Sequence, residues 1–310
     1  MNKAQKEVLQ VQFNDEQEII KQLKQVYERA RKDCEQRIRE LSSRTDFENL
    51  QSIIYQKQYQ EALKKQLDGI LDNLQSEEFT SVTDYLTKSY ENGYIGVMYD
   101  LQQQGIPIIM PINQKQIVKA LQTDSKLSKG LYARLGEDVN YLKRSIRAEL
   151  SRGIANGSTW NEIAGHIAKG MNSPFDRAIN NTIRISRTEG HRIQQQSAHD
   201  AQRIAKEKGA DVLKQWCATL DGVTRETHQK LDGQIREIDE DFEVDGTAAP
   251  YPGGFGDPAE DCNCRCCLLQ RARWALDQGE LETLKERAAF YGLDKTDSFN
   301  AFKEKYLHIE

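Results

Sequence analysis

The chain has 310 residues, of which 38% are hydrophobic and 29% charged, with a mean hydropathy of -0.74. That length allows one large domain or two to three small ones, and the composition allows a modest core beneath much polar surface. No run of about 18 apolar residues occurs, which excludes a membrane-spanning helix, and the start MNKAQKEVLQVQFNDEQE lacks the basic-then-apolar pattern of a signal peptide. Synthesis and retention in a cytoplasm are expected. The formal net charge of -5 is unevenly divided: -2 over 1–80, 0 over 81–127, +6 over 128–210 and -9 over 211–310. A basic middle and an acidic end suit a protein that meets charged partners at different points, although solvated helix faces give the same pattern.

In chain order, Ile19, Leu23, Val26, Ala30, Cys34, Ile38 and Leu41 recur at three- and four-residue steps and predict a helix with one narrow apolar stripe. Ser42, Ser43, Thr45 and Asp46 supply a break and a cap. A second stripe runs through Leu63, Leu67, Ile70 or Leu71, and Leu74; the two stripes suit a helical hairpin or a partner helix. A third helix is expected over 83–101, ended by Gly105-Ile-Pro107. The run 106–112 holds two prolines and reads as an edge strand or an extended crossing. Helix resumes near Asn113. Leu131, Leu135, Leu142, Ile146 and Leu150 predict a longer helix that Gly153 closes.

Asn156-Gly157 predicts a turn, and Thr159-x-x-Glu162 a capping box for the helix through Ile163 and Ile167. Ser173-Pro174 is read as the start of the next helix, with proline at an early position where its missing N–H is harmless. That helix runs to Lys208 and Gly209. The texture then changes. Residues 214–220 read as a β-prone run, 224–230 as a short helix and 234–244 as a strand or hairpin. The loop 246–258 holds three of the six prolines and is rich in glycine, with Tyr251 and Phe255 to anchor it. A helical tail is expected over 268–307, broken at Gly292. The fold class is therefore α+β and mostly α-helical. Four regions are expected: an N-terminal helical region over 1–125, a central helical region over 126–210, a small β-containing module over 211–267 and a helical tail over 268–310.

Four of the six cysteines crowd into Cys262-Asn-Cys264-Arg-Cys266-Cys267. In a reducing compartment this spacing argues against a disulfide framework. Zinc takes four ligands from thiolate and imidazole. Cys264, Cys266 and His228 supply three, and Cys217 or Cys262 could supply the fourth. Three readings stay open for this set: a zinc site, plain packing with His228 hydrogen-bonded to Asp232 or Asp221, and Cys–His or metal-assisted hydrolysis. No nucleophile elbow, phosphate loop or H-E-x-x-H helix is present to favour an enzyme. His228, Cys264 and Cys266 are expected to converge, because the Gly/Pro loop between them is built to return. Trp216, with Phe255 or Tyr251, is expected to be the core of the small module. Arg187, Arg225 and Arg265 suit carboxylate pairing within the module, or phosphate contact.

The ordered series Arg187-Thr-Glu189-Gly-His191, Trp216-Cys-Ala-Thr-Leu-Asp221, Thr224-Arg225-Glu-Thr-His228-Gln-Lys-Leu-Asp232-Gly233, Ala249-Pro-Tyr-Pro252, Phe255-Gly-Asp-Pro258 and Asn263-Cys-Arg265-Cys266 resembles the minor head proteins of tailed phages in the Mu F / SPP1 head-morphogenesis family. The block covers about 80 residues, and each piece alone is weak. Tyr94-Ile-Gly and the stretch 153–170 look like the versions in phages of Gram-positive hosts. Residues 1–80 receive no role. The resemblance implies a minor capsid protein present in few copies, associated with the phage portal, meeting scaffold or major capsid protein, and acting in head morphogenesis and DNA delivery. It implies a place in the virion head near the portal after assembly in the host cytoplasm. It transfers no catalytic residue. Some relatives are fused to toxin domains, for which this chain is expected to have no length left. Contact with DNA is expected to be weak and non-specific, because the positive charges are scattered and lack interleaved aromatics.

Overall fold

The computed structural model describes residues 1–42, 53–122, 130–156, 160–272, 285–286 and 288–308. The chain is mostly helical, with small antiparallel sheets. The helices are α1 (Lys3–Ser42), α2 (Ile53–Gln103), α3 (Gln114–Gln122), α4 (Leu131–Ala155), α5 (Trp160–Glu207), α6 (Glu226–Leu231), α7 (Pro258–Asp261) and α8 (Phe299–Leu307). The strands are β1 (Val212–Cys217), β2 (Ile235–Arg236), β3 (Phe242–Val244), β4 (Thr247–Ala249) and β5 (Cys267–Ala272). None of the described helices is long and apolar enough to cross a membrane.

The chain divides into two compact units, each gathered from separated stretches. One takes Met1–Gln17, Thr83–Lys129 and Ser186–Glu310, and the other takes Glu18–Val82 and Gly130–Ile185. Helices α1, α2 and α5 each contribute to both.

The second unit is a helical assembly whose core follows from residue spacing. Val26, Ala30, Cys34 and Ile38 of α1 meet Leu63, Leu67, Leu71 and Leu74 of α2, Leu142, Ile146 and Leu150 of α4, and Ile167, Met171 and Phe175 of α5. Steps of three and four residues keep each set on one face, so each helix buries a stripe while its other face stays polar. Ile19, Leu23, Val26, Ala30, Cys34 and Ile38 of the α1 stripe are buried as expected, with Ile70 partly buried beside Leu71. One polar cluster lies inside this core. Glu78, fully buried, accepts hydrogen bonds on Oε1 from Thr182 Oγ1 at 2.7 Å and Tyr27 Oη at 3.2 Å.

Three expectations about helix ends are corrected. The helix expected over 83–101 is the C-terminal half of one continuous α2. Thr80 and Thr87, on either side of the expected start, return their hydroxyls to the carbonyls of Ser76 and Thr83 within the continuous helix. Val82 and Leu86 bury on the same axis. Pro174 does not start a helix but lies inside α5. Its cost is offset because Ile167, Met171, Phe175 and Ala178 keep one phase on both sides and pack into one core. Helix α4 runs two residues past Gly153. The expected break at Ser43, Thr45 and Asp46, the turn at Gly157 and the cap at Thr159 lie outside the described residues.

In the first unit, α2 and α5 pack at close range. A Cβ on Gly93 would sit nearer than 3.0 Å to Gln194 O and Ser197 Oγ, and one on Gly190 equally close to the Tyr85 ring. Beside them Asp100, fully buried, accepts from Asn2, Gln5, Gln104 and Gln270 side chains. Residues 106–110 form neither helix nor strand, with Ile108 N bonded to Ile106 O at 2.8 Å and Ile106, Ile108 and Met110 buried, and Asn113 Oδ1 then caps Lys115 N at 2.9 Å ahead of α3. Helix α5 ends as expected at Gly209, whose φ of 92° lets Ala210 N reach Ala205 O at 3.0 Å.

The β-containing part follows. β1 is central, with β2 and β5 antiparallel on its two sides, and β5 pairs Leu268 with Trp216 and Cys267 with Cys217. β3 and β4 form a separate hairpin around Asp245-Gly246, both at positive φ, the geometry of a tight hairpin turn. The helical tail expected from Leu268 is corrected here, because 267–272 is strand β5. Helix formers such as Leu268, Leu269 and Gln270 are buried as a strand, since pairing along β1 outweighs local propensity. Further on, Gly292 at φ 67° precedes a 3₁₀ turn at Leu293–Lys295, and Ser298 Oγ caps α8 through Ala301 N. Phe299 and Phe302 of α8 pack on Tyr99.

Candidate metal centre

The small module is assembled around Trp216, fully buried on β1. Its ring meets Phe242 edge-on at 5.3 Å and Phe255 at 5.8 Å between centroids, and Leu231, Val244 and Leu268 close the cluster. Phe255 and Tyr251 pack against it half-buried. Alternate residues of β1 face inward, so Lys214 is buried too. Its Nζ donates to Pro250 O at 2.9 Å and lies over the Phe242 ring, and burial lowers it to about 8.

Several motif residues hold backbone rather than chemistry. Asp232 Oδ1 accepts from Ala218 N at 2.8 Å, and Gly233, at φ 79°, donates its N–H to Trp216 O. Arg225 Nη2 donates to Cys262 O at 2.7 Å, and Asn263, at positive φ, donates its N–H to Thr188 Oγ1. Arg265 pairs with both oxygens of Asp221 at 2.6 and 2.8 Å, which holds the Asp221 carboxyl below the usual range. Arg187 pairs with Glu16, and Glu189 with Arg192 inside the protein. The segment 187–192 of α5 is thus a seat for the module. Thr188 takes the 262–264 turn, Gly190 admits Tyr85, and Gly253 lies against Arg192 Cα.

His228, Cys264 and Cys266 converge, although 36 residues separate the first two. α6 carries His228 inward, and the turn after α7 returns the two cysteines. His228 Nδ1 lies 3.2 Å from Cys266 Sγ and 3.7 Å from Cys264 Sγ, and all three ligand atoms fall within 4.8 Å of one another. Exposures of 2%, 5% and 2% for His228, Cys264 and Cys266 remove the group from solvent. A His-Cys-Cys group of this kind could hold a metal ion. The two thiols divide their roles. The hydrogen bond from Cys264, followed by His228 and the Trp216 indole, lowers Cys266 to about 5, while Cys264 is raised by its thiolate neighbour and by burial.

Among the described residues, Cys217 and Cys262 are outside this group. Cys217 pairs with Cys267 instead, which lowers Cys217 to about 7 and raises Cys267. The expected partners of His228 are corrected as well. Asp221 and Asp232 are engaged elsewhere, and it is Glu260 Oε2 that lies 3.0 Å from His228 Nε2, off the line of a well-formed hydrogen bond. Glu260 also accepts from Thr227 Oγ1 at 2.8 Å. Asp261, buried, accepts from Phe255 N and Gly256 N and so ties down the Gly/Pro loop. The sequence signal for both acids was their place on the short Pro258-Ala-Glu-Asp261 turn just ahead of the cysteines. Burial lowers His191 to about 4, and the facing His228 adds to this.

Residues 144–269 match the family described as Phage Mu protein F like protein. Minor head protein GP7 of Bacillus phage SPP1 is 28% identical over 216 residues, covering 67% of each chain. These two matches support the Mu F-like minor head protein family for this chain. The Mu F-like segment takes in the C-terminal part of α4, all of α5 and the module as far as the first half of β5, and so contains both the seat and the His-Cys-Cys group. A second relative, NAD(+)–arginine ADP-ribosyltransferase EFV of Enterococcus faecalis, is 30% identical over 275 residues, 87% of this chain. This chain spans 55% of that protein's length. No solved structure matches the chain significantly.

Proposed function

We propose that this chain is a minor head protein of a tailed phage, bound at the portal in few copies and acting in head morphogenesis and DNA delivery. It is assembled in the host cytoplasm and ends in the virion head, with scaffold or major capsid protein as further neighbours. The observation that carries this reading is the coincidence of the Mu F-like segment, 144–269, with α5 and the module docked on it. In that segment the three arginines of the motif block meet protein groups, as expected of a rigid docking body.

The chain is read as a non-enzyme. Transferase activity is named for a relative of which this chain spans 55%, and it is not carried over. The Cys266–His228 pair at 3.2 Å has the residue types of a hydrolase nucleophile, but both side chains are 2% exposed and out of a substrate's reach.

Portal binding rests on shape and a few buried anchors, whereas phosphate binding needs concentrated cations and weakens steeply with salt. The +6 charge of 128–210 is spread over α4 and α5. The test is co-purification with the portal protein at physiological ionic strength, followed by a DNA mobility-shift assay in the same buffer. Portal retention with weak, salt-abolished DNA binding is expected. Tight DNA binding without portal retention would overturn the reading.

A further inference from the structure

We propose that His228 Nδ1, Cys264 Sγ and Cys266 Sγ are three ligands of a tetrahedral zinc ion, with Glu260 orienting the imidazole from its opposite nitrogen. The fourth position falls to a ligand that none of the described cysteines or histidines supplies. This goes beyond the head-protein reading and does not depend on it.

The spacing of the donor atoms is the first argument. Zinc bond lengths of about 2.3 Å to sulfur and 2.0–2.1 Å to nitrogen put tetrahedral N···S edges near ~3.6 Å. The two observed edges, 3.2 and 3.7 Å, bracket that value. The second argument is valence. A neutral imidazole nitrogen has one lone pair, yet two sulfurs are directed at Nδ1, and the cysteines are free rather than disulfide-bonded. One cation between three donors satisfies them together, whereas an S–H···N hydrogen bond engages only one of the two sulfurs at Nδ1.

The surroundings supply the third. Histidine ligands of metals present their other ring nitrogen to a carboxylate. Here Glu260 Oε2 stands 3.0 Å from Nε2 and is itself fixed by Thr227. The buried Trp216 indole acts on the Cys266 sulfur, its ring lies 5.7 Å from that of His228, and it would donate to a metal-bound thiolate there. Sulfur and imidazole donors in this number favour zinc over the hard cations.

The test uses the full-length chain, expressed with zinc in the medium and purified without chelator. Native mass spectrometry should find one zinc per chain. Replacement by Co2+ should produce thiolate-to-cobalt charge-transfer absorption. Cys264→Ser and Cys266→Ser should lose the ion, while Cys217→Ser and Cys262→Ser keep it, and Glu260→Gln should weaken binding about 10–100-fold. Because a ligand variant could fail to fold, the wild-type cobalt spectrum decides. A folded wild-type chain that carries no zinc and shows no cobalt–thiolate band would overturn the proposal, as would full retention in both Cys264→Ser and Cys266→Ser.

Discussion

Glu78 has a buried Oε2 without a hydrogen-bond partner, while Oε1 takes both available donors. Burial, first among the causes, raises its carboxyl from 4.5 to about 7, with Asp138 adding to the rise. The folded state therefore keeps the proton over an interval in which the unfolded chain has released it. Stability of this unit should fall as pH rises from about 4.5 through about 7 and level off above, a loss of about 3 kcal/mol at most. Glu78→Gln should remove that part of the slope. Urea midpoints of both proteins at mildly acidic and mildly alkaline pH check it; parallel pH profiles would contradict the assignment. Gly93 gives a steric prediction. Its missing Cβ leaves room for the backbone carbonyl of Gln194, which cannot swing aside as a side chain could. Gly93→Ala should cost about 1–3 kcal/mol through overpacking, despite the better helix propensity of alanine, and thermal melting reads the sign.

At the scale of elements, the helices carrying apolar residues at three- and four-residue steps were legible. Ile19 to Ile38 and Leu131 to Leu150 bury as their spacing demanded. The misread boundaries share a cause, which is that tertiary packing outweighed local signals. Pro174 looked like a helix start, but the core on both sides of it holds α5 continuous. Relieving that conflict should be favourable. Pro174→Ala restores a backbone donor and removes the ring's clash, and should raise stability by about 1–3 kcal/mol in a melting experiment. A lowered melting temperature would mean that the ring contributes more to packing than its backbone cost. Strand β5 was unreadable for the related reason that Leu268 and Leu269 suit a helix equally well. The antiparallel pairing with β1, Trp216 with Leu268 and Gln215 with Leu269 among it, fixes them as strand.

Across the whole molecule, the motif block was the most legible part, because its residues are tied to one another over long sequence distances. Asp221 with Arg265, Arg225 with Cys262 and His228 with Cys266 are such ties. Glu260 and Asp261 were harder to see, since an acid on a short turn is ordinarily a surface group. The interleaving of two units through α1, α2 and α5 left no sequence mark, because no glycine- or proline-rich linker separates them. The head-protein account is tested most directly by a cryo-EM map of portal-containing heads assembled with this chain. The account predicts density for α5 and its docked module against the portal in a few copies, and its loss from heads made without the chain. Heads whose portal region is identical with and without the chain would contradict it.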